Sequence, residues 1–542
     1  MIEDFRGLPA EDPIESDVCV VGAGPTALAL ARELAAVPAL RIVMLESGGL
    51  GLDAAAQRHS EGVEVCGMPH KHNGPSGRGR AFGGTGRLWA GQCLPLDPID
   101  FEARPWVPRS GWPVGAATLA PYVARAGAFF GVQGQAYDER NFGRFGLEAP
   151  RWSADALRSM FTVYAPRVDI GAARAKEFER LPSVRVLLHA VAAEVETEAG
   201  GGRVTGVRVL APGGRDVVVR ARFVVLCAGA LENARLLLMS KGAGPAGLGN
   251  GDDLVGRFFQ EHPHAVTATL DAEDGTDLAG LQTRFRLLYG RGGLRFFPKV
   301  ALAEARQRAA QVLNCNANLV FDYPEDSGVA ALQEFVRAAR RRRLPPAAWR
   351  KAARLPGAVG EVGRTLVRRC AKGLSPLGRP QRVRLQVYLE QAPNPESRVT
   401  LAPSAKDSLG LPAIRLDWRV TELERRTLQV MTETVRAEFE RLGLGRMRPA
   451  PWLSDAGADW KAELNDCSHH IGTTRMGATP REGVVGPDCG VFGVEGLFVA
   501  GGSVFPTSGY ANPTLAMVAL AIRLADHLRA ALGGAVPHRK LG

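Results

Sequence analysis

Apolar residues fall along this chain in two rhythms, and the change from one to the other divides it. The first is a solid apolar run bounded by glycine, as at residues 18–21 (Val-Cys-Val-Val), 42–45 (Ile-Val-Met-Leu) and 223–226 (Phe-Val-Val-Leu). Such short continuous runs predict strands buried on both faces, as in a parallel sheet. A helical pattern through about residue 34 follows the first run, and a helix over 231–239 follows the third. Between them, 184–191, 204–210 and 217–220 predict short strands between Gly/Pro turns, so the chain leaves the first sheet and comes back to it. The second rhythm is alternation of apolar and polar residues, at 282–287, 312–321 and 383–389, which predicts an antiparallel sheet. A turn at 393–397, a strand at 398–401 and an amphipathic helix over 422–442 continue it, and a further helix is predicted over 117–130.

The first run leads into Gly22-Ala23-Gly24-Pro25-Thr26-Ala27, and the second ends at Glu46, followed by Ser47. Strand, glycine turn, helix, strand and terminal acid match the Rossmann-like dinucleotide fingerprint in its G-x-G-x-x-A form. Gly22 permits the tight turn, Gly24 lets backbone approach a pyrophosphate, and Ala27 keeps the helix close to its strand. Pro25 and Thr26 open that helix, whose amides and dipole suit phosphate, and Glu46 can accept hydrogen bonds from a ribose. The motif does not separate FAD from NAD. A second glycine-rich stretch contains Arg80, Gly83, Gly84, Thr85, Gly86, Leu88, Trp89, Ala90, Gly91 and Gln92. Its glycines disfavour a regular helix and let backbone lie flat against a planar ligand, with Trp89 offering an aromatic face. An ordinary surface loop is the competing reading of that stretch.

At 542 residues the chain exceeds one ordinary core and predicts two or three domains. Residues 1–16 carry several acids and no apolar run, and no window reaches the length of a membrane span, so a cytoplasmic protein is expected. The eight cysteines are scattered, with no C-x-x-C pair, which argues for reduced thiols and against a metal site. The net charge of +11 is concentrated: in 333–384, 15 Lys/Arg stand against Glu334 and Glu361 alone. That segment predicts a basic helical insertion, either a solvated face or a site for an anionic partner, a membrane surface or an acidic substrate, and no nucleic-acid module surrounds it.

The chemistry is expected in the last fifth of the chain. Ser468-His469-His470-Ile471-Gly472-Thr473 sets two histidines in a Gly/Thr-rich turn, and Asn512-Pro513-Thr514 opens a helical apolar run 43 residues after His469. With the N-terminal fingerprint, the Gly83-Gly84-Thr85 loop, the turn from Ala228 to Ala234 and the stretch from Asp253 to His262, these blocks resemble the glucose-methanol-choline (GMC) oxidoreductases. Within the family the chain looks similar to bacterial pyranose and glycoside oxidase-like members. The resemblance implies a Rossmann-like FAD-binding domain with a parallel sheet (α/β) and a substrate-binding domain with an antiparallel sheet (α+β). The first is expected from 1–100, 184–262 and 455–542, and the second from 101–183 and 263–454.

The resemblance also implies that His469, at the first position of H-x-x-G-T, is the catalytic base, with Asn512 as its oxygen-binding partner. His470 is then a neighbour whose ring packs or points away. Val191, Ala228, Gly229, Asn233, Gly502, Ser503, Pro513 and Thr514 join the fingerprint and Gly-loop residues as cofactor-binding positions. Leu88 stands where several family members carry a histidine that tethers FAD, so FAD is expected to be non-covalent. Gly501 stands where many members carry an Asp. The implied reaction is oxidation of a sugar or glycoside hydroxyl, with proton abstraction and hydride transfer to flavin N5. The expected electron acceptor is O2 or a quinone or other redox carrier. A specialised-metabolite alcohol is the alternative substrate, and a non-redox flavin-binding role the alternative class. Tyr510 and Gln92 are candidate pocket walls or ordinary packing residues.

Overall fold

The structure, a computed structural model, describes residues 1–8, 13–71, 74, 77–211, 213–271, 276–324 and 368–533. Two large sheets organise it. In the first, neighbouring strands follow the order Ile2–Asp4, Val184–Leu188, Ile42–Glu46, Ile14–Val21, Arg215–Leu226, Val204–Ala211 and Val191–Thr197, with Leu497–Val499 also on Arg215–Leu226. The pairings are parallel except those of Val204–Ala211 with its two neighbours. The solid apolar runs occupy the middle of this sheet because helices cover it. Pro25–Leu34 packs on Thr514–Ala531, which in turn packs on Ala116–Phe130.

Two sequence expectations change here. The strands predicted at 217–220 and from 223 are one continuous strand, Arg215–Leu226. Its first half pairs with Val204–Ala211 and its end, Val224–Leu226, with Leu497–Val499, so a single strand ties the central and C-terminal parts of the chain together. The run at 184–191 is broken instead, because His189 takes a left-handed φ of 55° between Val184–Leu188 and Val191–Thr197.

The second sheet is antiparallel throughout, in the order Arg446–Pro449, His264–Asp271, Arg382–Leu389, Cys315–Asp322, Arg295–Leu302, Leu157–Tyr164 and Gln92–Cys93, with Leu288–Tyr289 on Arg295–Leu302. Helix Glu422–Arg441 packs across it. That helix starts at a reciprocal capping box in which Thr421 and Glu424 satisfy each other's backbone amides. Of residues 282–287, expected as a strand, 282–285 belong to the helix Leu278–Phe285 and 286–287 follow it. Asp277 caps it by accepting from the Gly280 amide at 2.8 Å, and buried Leu281 and Phe285 follow at helical spacing, a signal that the local alternation obscured. The predicted basic insertion lies outside the described residues up to 367, while 382–384 belong to the strand Arg382–Leu389. Among the described residues no helix is long and apolar enough to cross a membrane.

Leu428, fully buried on the sheet-facing side of helix Glu422–Arg441, tests this packing. Leu428→Ala is expected to lower unfolding free energy by about 2–5 kcal/mol in urea denaturation.

Candidate active site

A cavity opens at the C-terminal ends of the parallel strands. At one end lie Gly22, Gly24, Pro25 and Thr26. Gly22 has φ 101°, and a Cβ there would stand 2.8 Å from the Cys227 carbonyl oxygen, so this turn requires glycine. Helix Pro25–Leu34 starts at Gly24 with no side-chain cap, which leaves its first amides for a ligand. Glu46 lines the cavity and is braced from behind, with Oε2 accepting from the Ala23 amide at 3.0 Å and Oε1 from the Gly48 amide at 2.8 Å. Burial pushes its carboxyl up to about 7, against the opposing pull of these amides.

Along the wall, Glu232 accepts from Arg78 at 2.6 Å, Arg80 at 2.8 Å and Arg235 at 3.1 Å. Burial disfavours its charge, but the guanidinium groups outweigh that and hold the carboxyl far below the usual range. With Asp407 also bound to Arg235, three guanidinium groups face two carboxylates, and one positive charge is left over at the cavity. A glycine turn, open helix amides, a braced acid and surplus positive charge suit a ribose and a pyrophosphate, so this donor set fits FAD.

Of the expected cofactor residues, Gly22, Gly24, Pro25, Thr26, Glu46, Ser47, Arg80, Gly84, Thr85, Val191, Ala228 and Gly229 line this cavity. Asn233 instead ties the wall together, accepting from the Ala228 amide at 2.9 Å and donating to Ser503 Oγ at 3.0 Å. Ala27, Gly83, Gly502, Pro513 and Thr514 are not among the lining residues. Trp89 and Ala90 do not line this cavity: the Trp89 indole donates to the Val168 carbonyl at 2.6 Å and its ring packs on Phe130. Sequence reasoning missed Arg78, Glu232 and Arg235. The available signal was a pair of charges three residues apart on the otherwise apolar helix Ala230–Met239.

The histidines are organised by Glu261, which is fully buried. Its Oε2 accepts from the backbone amides of His469 at 2.9 Å, His262 at 3.1 Å and Cys467 at 3.3 Å, and its Oε1 contacts His70 Nε2 at 3.1 Å. Burial opposes ionisation, but the His70 hydrogen bond and the other histidines prevail and keep the carboxyl below its ordinary range. His470 lines the cavity, its Nε2 3.6 Å from Glu261 Oε1 and its ring against His70 and Phe259.

His469 Nδ1 meets His262 Nδ1 at 2.8 Å, and His262 Nε2 lies 3.3 Å from the Ser508 carbonyl oxygen. Burial lowers both rings' proton affinity, His469 to about 3, so both are neutral near pH 7. A carbonyl only accepts, so the His262 proton sits on Nε2 and its Nδ1 accepts from His469 Nδ1–H. The lone pair of His469 is therefore left on Nε2.

Asn512 is half-buried and its side chain has no hydrogen-bond partner among the described residues. The residue two before it, Tyr510, receives a hydrogen bond on its hydroxyl from Arg158 Nη2 at 2.7 Å, and Arg158 also pairs with Asp97. His262 and Glu261 were legible as a buried Gln-Glu-His run before Pro263, but no spacing rule linked them to His469.

The family match agrees with this geometry. The two GMC oxidoreductase models match residues 175–264 and 393–521, and the chain belongs to the GMC oxidoreductase family, whose members bind FAD. It is 39% identical over 145 residues to a C-glycoside 3-oxidase from Arthrobacter globiformis, a match covering 25% of this chain and 26% of that protein's length. With a 2-methyl-1,2-propanediol dehydrogenase from Mycolicibacterium austroafricanum it shares 25% identity over 493 residues, covering 82% and 80% of the two chains. In fold it resembles an Aspergillus oryzae formate oxidase variant, with TM-score 0.57, 17% identity and coverage of 96% of this chain and 99% of that one.

The lowered histidines make stability sensitive to acid. A histidine near 6.5 when unfolded and near 3 when folded contributes stability fully above about pH 6.5, and that stability is lost as pH falls toward about 3. Urea denaturation at about pH 7.5 and about pH 4.5 is expected to show this loss, and His470→Gln to make it smaller.

Proposed function

We propose that the chain oxidises an alcohol to a carbonyl, with FAD held in the parallel-sheet cavity and the antiparallel sheet forming the substrate side. The observation that carries this reading is the His469–His262–Ser508 chain, which leaves a neutral imidazole with its Nε2 lone pair free. Glu46 and the Gly22 turn would hold the nucleotide end of the cofactor, and the Arg78, Arg80 and Arg235 group would compensate its phosphates. FAD, when bound, would supply the two-electron acceptor for the alcohol's hydride. His469 Nε2 takes the hydroxyl proton, and the Asn512 amide donates to the same oxygen as negative charge gathers there. Loss of one proton and one hydride converts the alcohol to its carbonyl. Leu88 and Trp89 carry no group that would tether FAD through a histidine, which supports non-covalent binding.

The curated relatives act on a C-glycoside and a diol by name, and a sugar or glycoside hydroxyl is the substrate this reading favours. O2 or a quinone-type carrier takes the electrons onward, and a cytoplasmic location belongs to the same proposal. Hydrogen peroxide release against dye reduction separates the two kinds of acceptor.

His469→Ala is expected to keep FAD but to slow anaerobic flavin reduction by alcohol by about 10²–10⁴-fold. Asn512→Asp, which puts charge beside the developing alkoxide, is expected to slow it too. Rapid flavin bleaching in the His469 variant would remove that residue from the role. At His262 an acceptor should matter more than bulk. His262→Asn, able to accept from His469 Nδ1–H, is expected to retain more of the reduction rate than His262→Leu at equal FAD content. Equal rates in the two variants would mean that His262 does not set the tautomer.

A further inference from the structure

The antiparallel sheet has two unlike faces. Directly paired residues share a face, and so do residues two apart on a strand. One face carries Val387, Leu385, Ala317, Val300 and Phe161, all buried, and helix Glu422–Arg441 packs across the sheet. On the other face Asn316 stands between Tyr388 and Ala301, Asn318 lies opposite Gln386, Lys299 opposite Met160, and Thr162 opposite Phe297.

That second face is turned toward the proposed reaction site. Met160 and Ala301 pack against Tyr510 and Ala511, next to Asn512. His264 stacks on Tyr388 at 5.1 Å, and its Nδ1 lies 3.3 Å from Cys467 Sγ, two residues before His469. Lys299 Nζ sits 5.1 Å from the Tyr388 ring centre.

Polar groups on this face are buried and unspent. Thr162 and Asn316 are 0% exposed, Asn318 6% and Lys299 7%. Thr162 Oγ1, Asn318 Oδ1 and both amide atoms of Asn316 lack a hydrogen-bond partner among the described residues. Gln92 Oε1, opposite Tyr164 at the sheet's edge, lacks one as well. Each such group is costly to bury unless something pairs with it, and native structures seldom leave several together.

We propose that this face is the substrate-recognition surface, that Asn316, Asn318, Thr162 and Lys299 determine specificity, and that the substrate they select is a polyol or sugar ring. The inference rests on the reading of the chain as an alcohol oxidoreductase, and supplies the residues that choose the alcohol. The chemistry of the unpaired atoms selects the ligand class. An amide or hydroxyl offers both donor and acceptor, so its best partner does both, as a hydroxyl does. A carboxylate can only accept and an ammonium can only donate. Burial pushes Lys299 down to about 8, which leaves it mostly protonated near pH 7 and able to donate to a hydroxyl. The row spans several strands, so it meets several hydroxyls of one ligand rather than the reacting one alone.

The test uses the FAD-loaded enzyme with methyl β-D-glucoside, sorbitol and cyclohexanol, and reads binding by calorimetry alongside anaerobic flavin reduction. The wild type is expected to bind both polyhydroxylated probes more tightly than cyclohexanol. Asn318→Ala and Lys299→Met are each expected to shrink that preference on the order of tenfold. Asn318→Ser serves if the alanine variant loses FAD. A preference unchanged in the variants, or a wild type that binds neither polyhydroxylated probe, overturns the proposal. Calorimetric binding that follows the expected pattern with no flavin reduction by any alcohol would leave the recognition surface standing and defeat the oxidoreductase reading instead.

Discussion

One buried carboxylate holds the site in register. Glu261 collects the backbone amides of His262, Cys467 and His469, which come from two parts of the chain more than two hundred residues apart in sequence. Taking an ionised carboxylate out of water is costly, and it persists inside a protein only when its lone pairs are filled. Here the filling groups are the amides of the segments that must meet. A loss of register between them would leave a buried charge unpaired, so the electrostatics enforce the geometry. His262 and His469 are then delivered to each other at hydrogen-bonding distance, and the Ser508 carbonyl decides which nitrogen carries each proton.

A second constraint of the same kind works at the cavity wall. Glu232 neutralises part of an arginine group that would otherwise repel itself, and leaves a surplus where a pyrophosphate fits. Both sites put a single acid at the centre of several donors. The difference lies in the donors: backbone amides at Glu261 fix chain path, whereas guanidinium groups at Glu232 tune the field of a surface.

The sequence displayed the parts of this arrangement whose signals are local. The solid runs at 18–21 and 42–45 and the Gly22-Gly24-Ala27 spacing gave the parallel sheet and its cofactor turn, since a strand buried on both faces has few other ways to look. The helix Leu278–Phe285 was misread as a strand because six residues alternate by chance, while the Asp277 cap that decides the matter lies outside that window. The Trp89 indole is committed to the Val168 carbonyl, a partner that no local pattern names. The polar face was in plain view as Asn314, Asn316 and Asn318 alternating with Cys315, Ala317 and Leu319. What the sequence withheld was direction: alternation says that one side of a strand is polar, and only the packing of its back says where that side looks.

The long strand Arg215–Leu226 carries a different kind of consequence. Because its first half pairs with Val204–Ala211 and its end with Leu497–Val499, the C-terminal segment bearing both histidines and Asn512 is anchored to a strand that is already complete without it. During synthesis the cofactor sheet can assemble before the last fifth of the chain has emerged, and the reactive segment then docks as the final strand. A polypeptide truncated before that point would keep the pairing of Arg215–Leu226 with Val204–Ala211 and lack His469, His470 and Asn512 altogether.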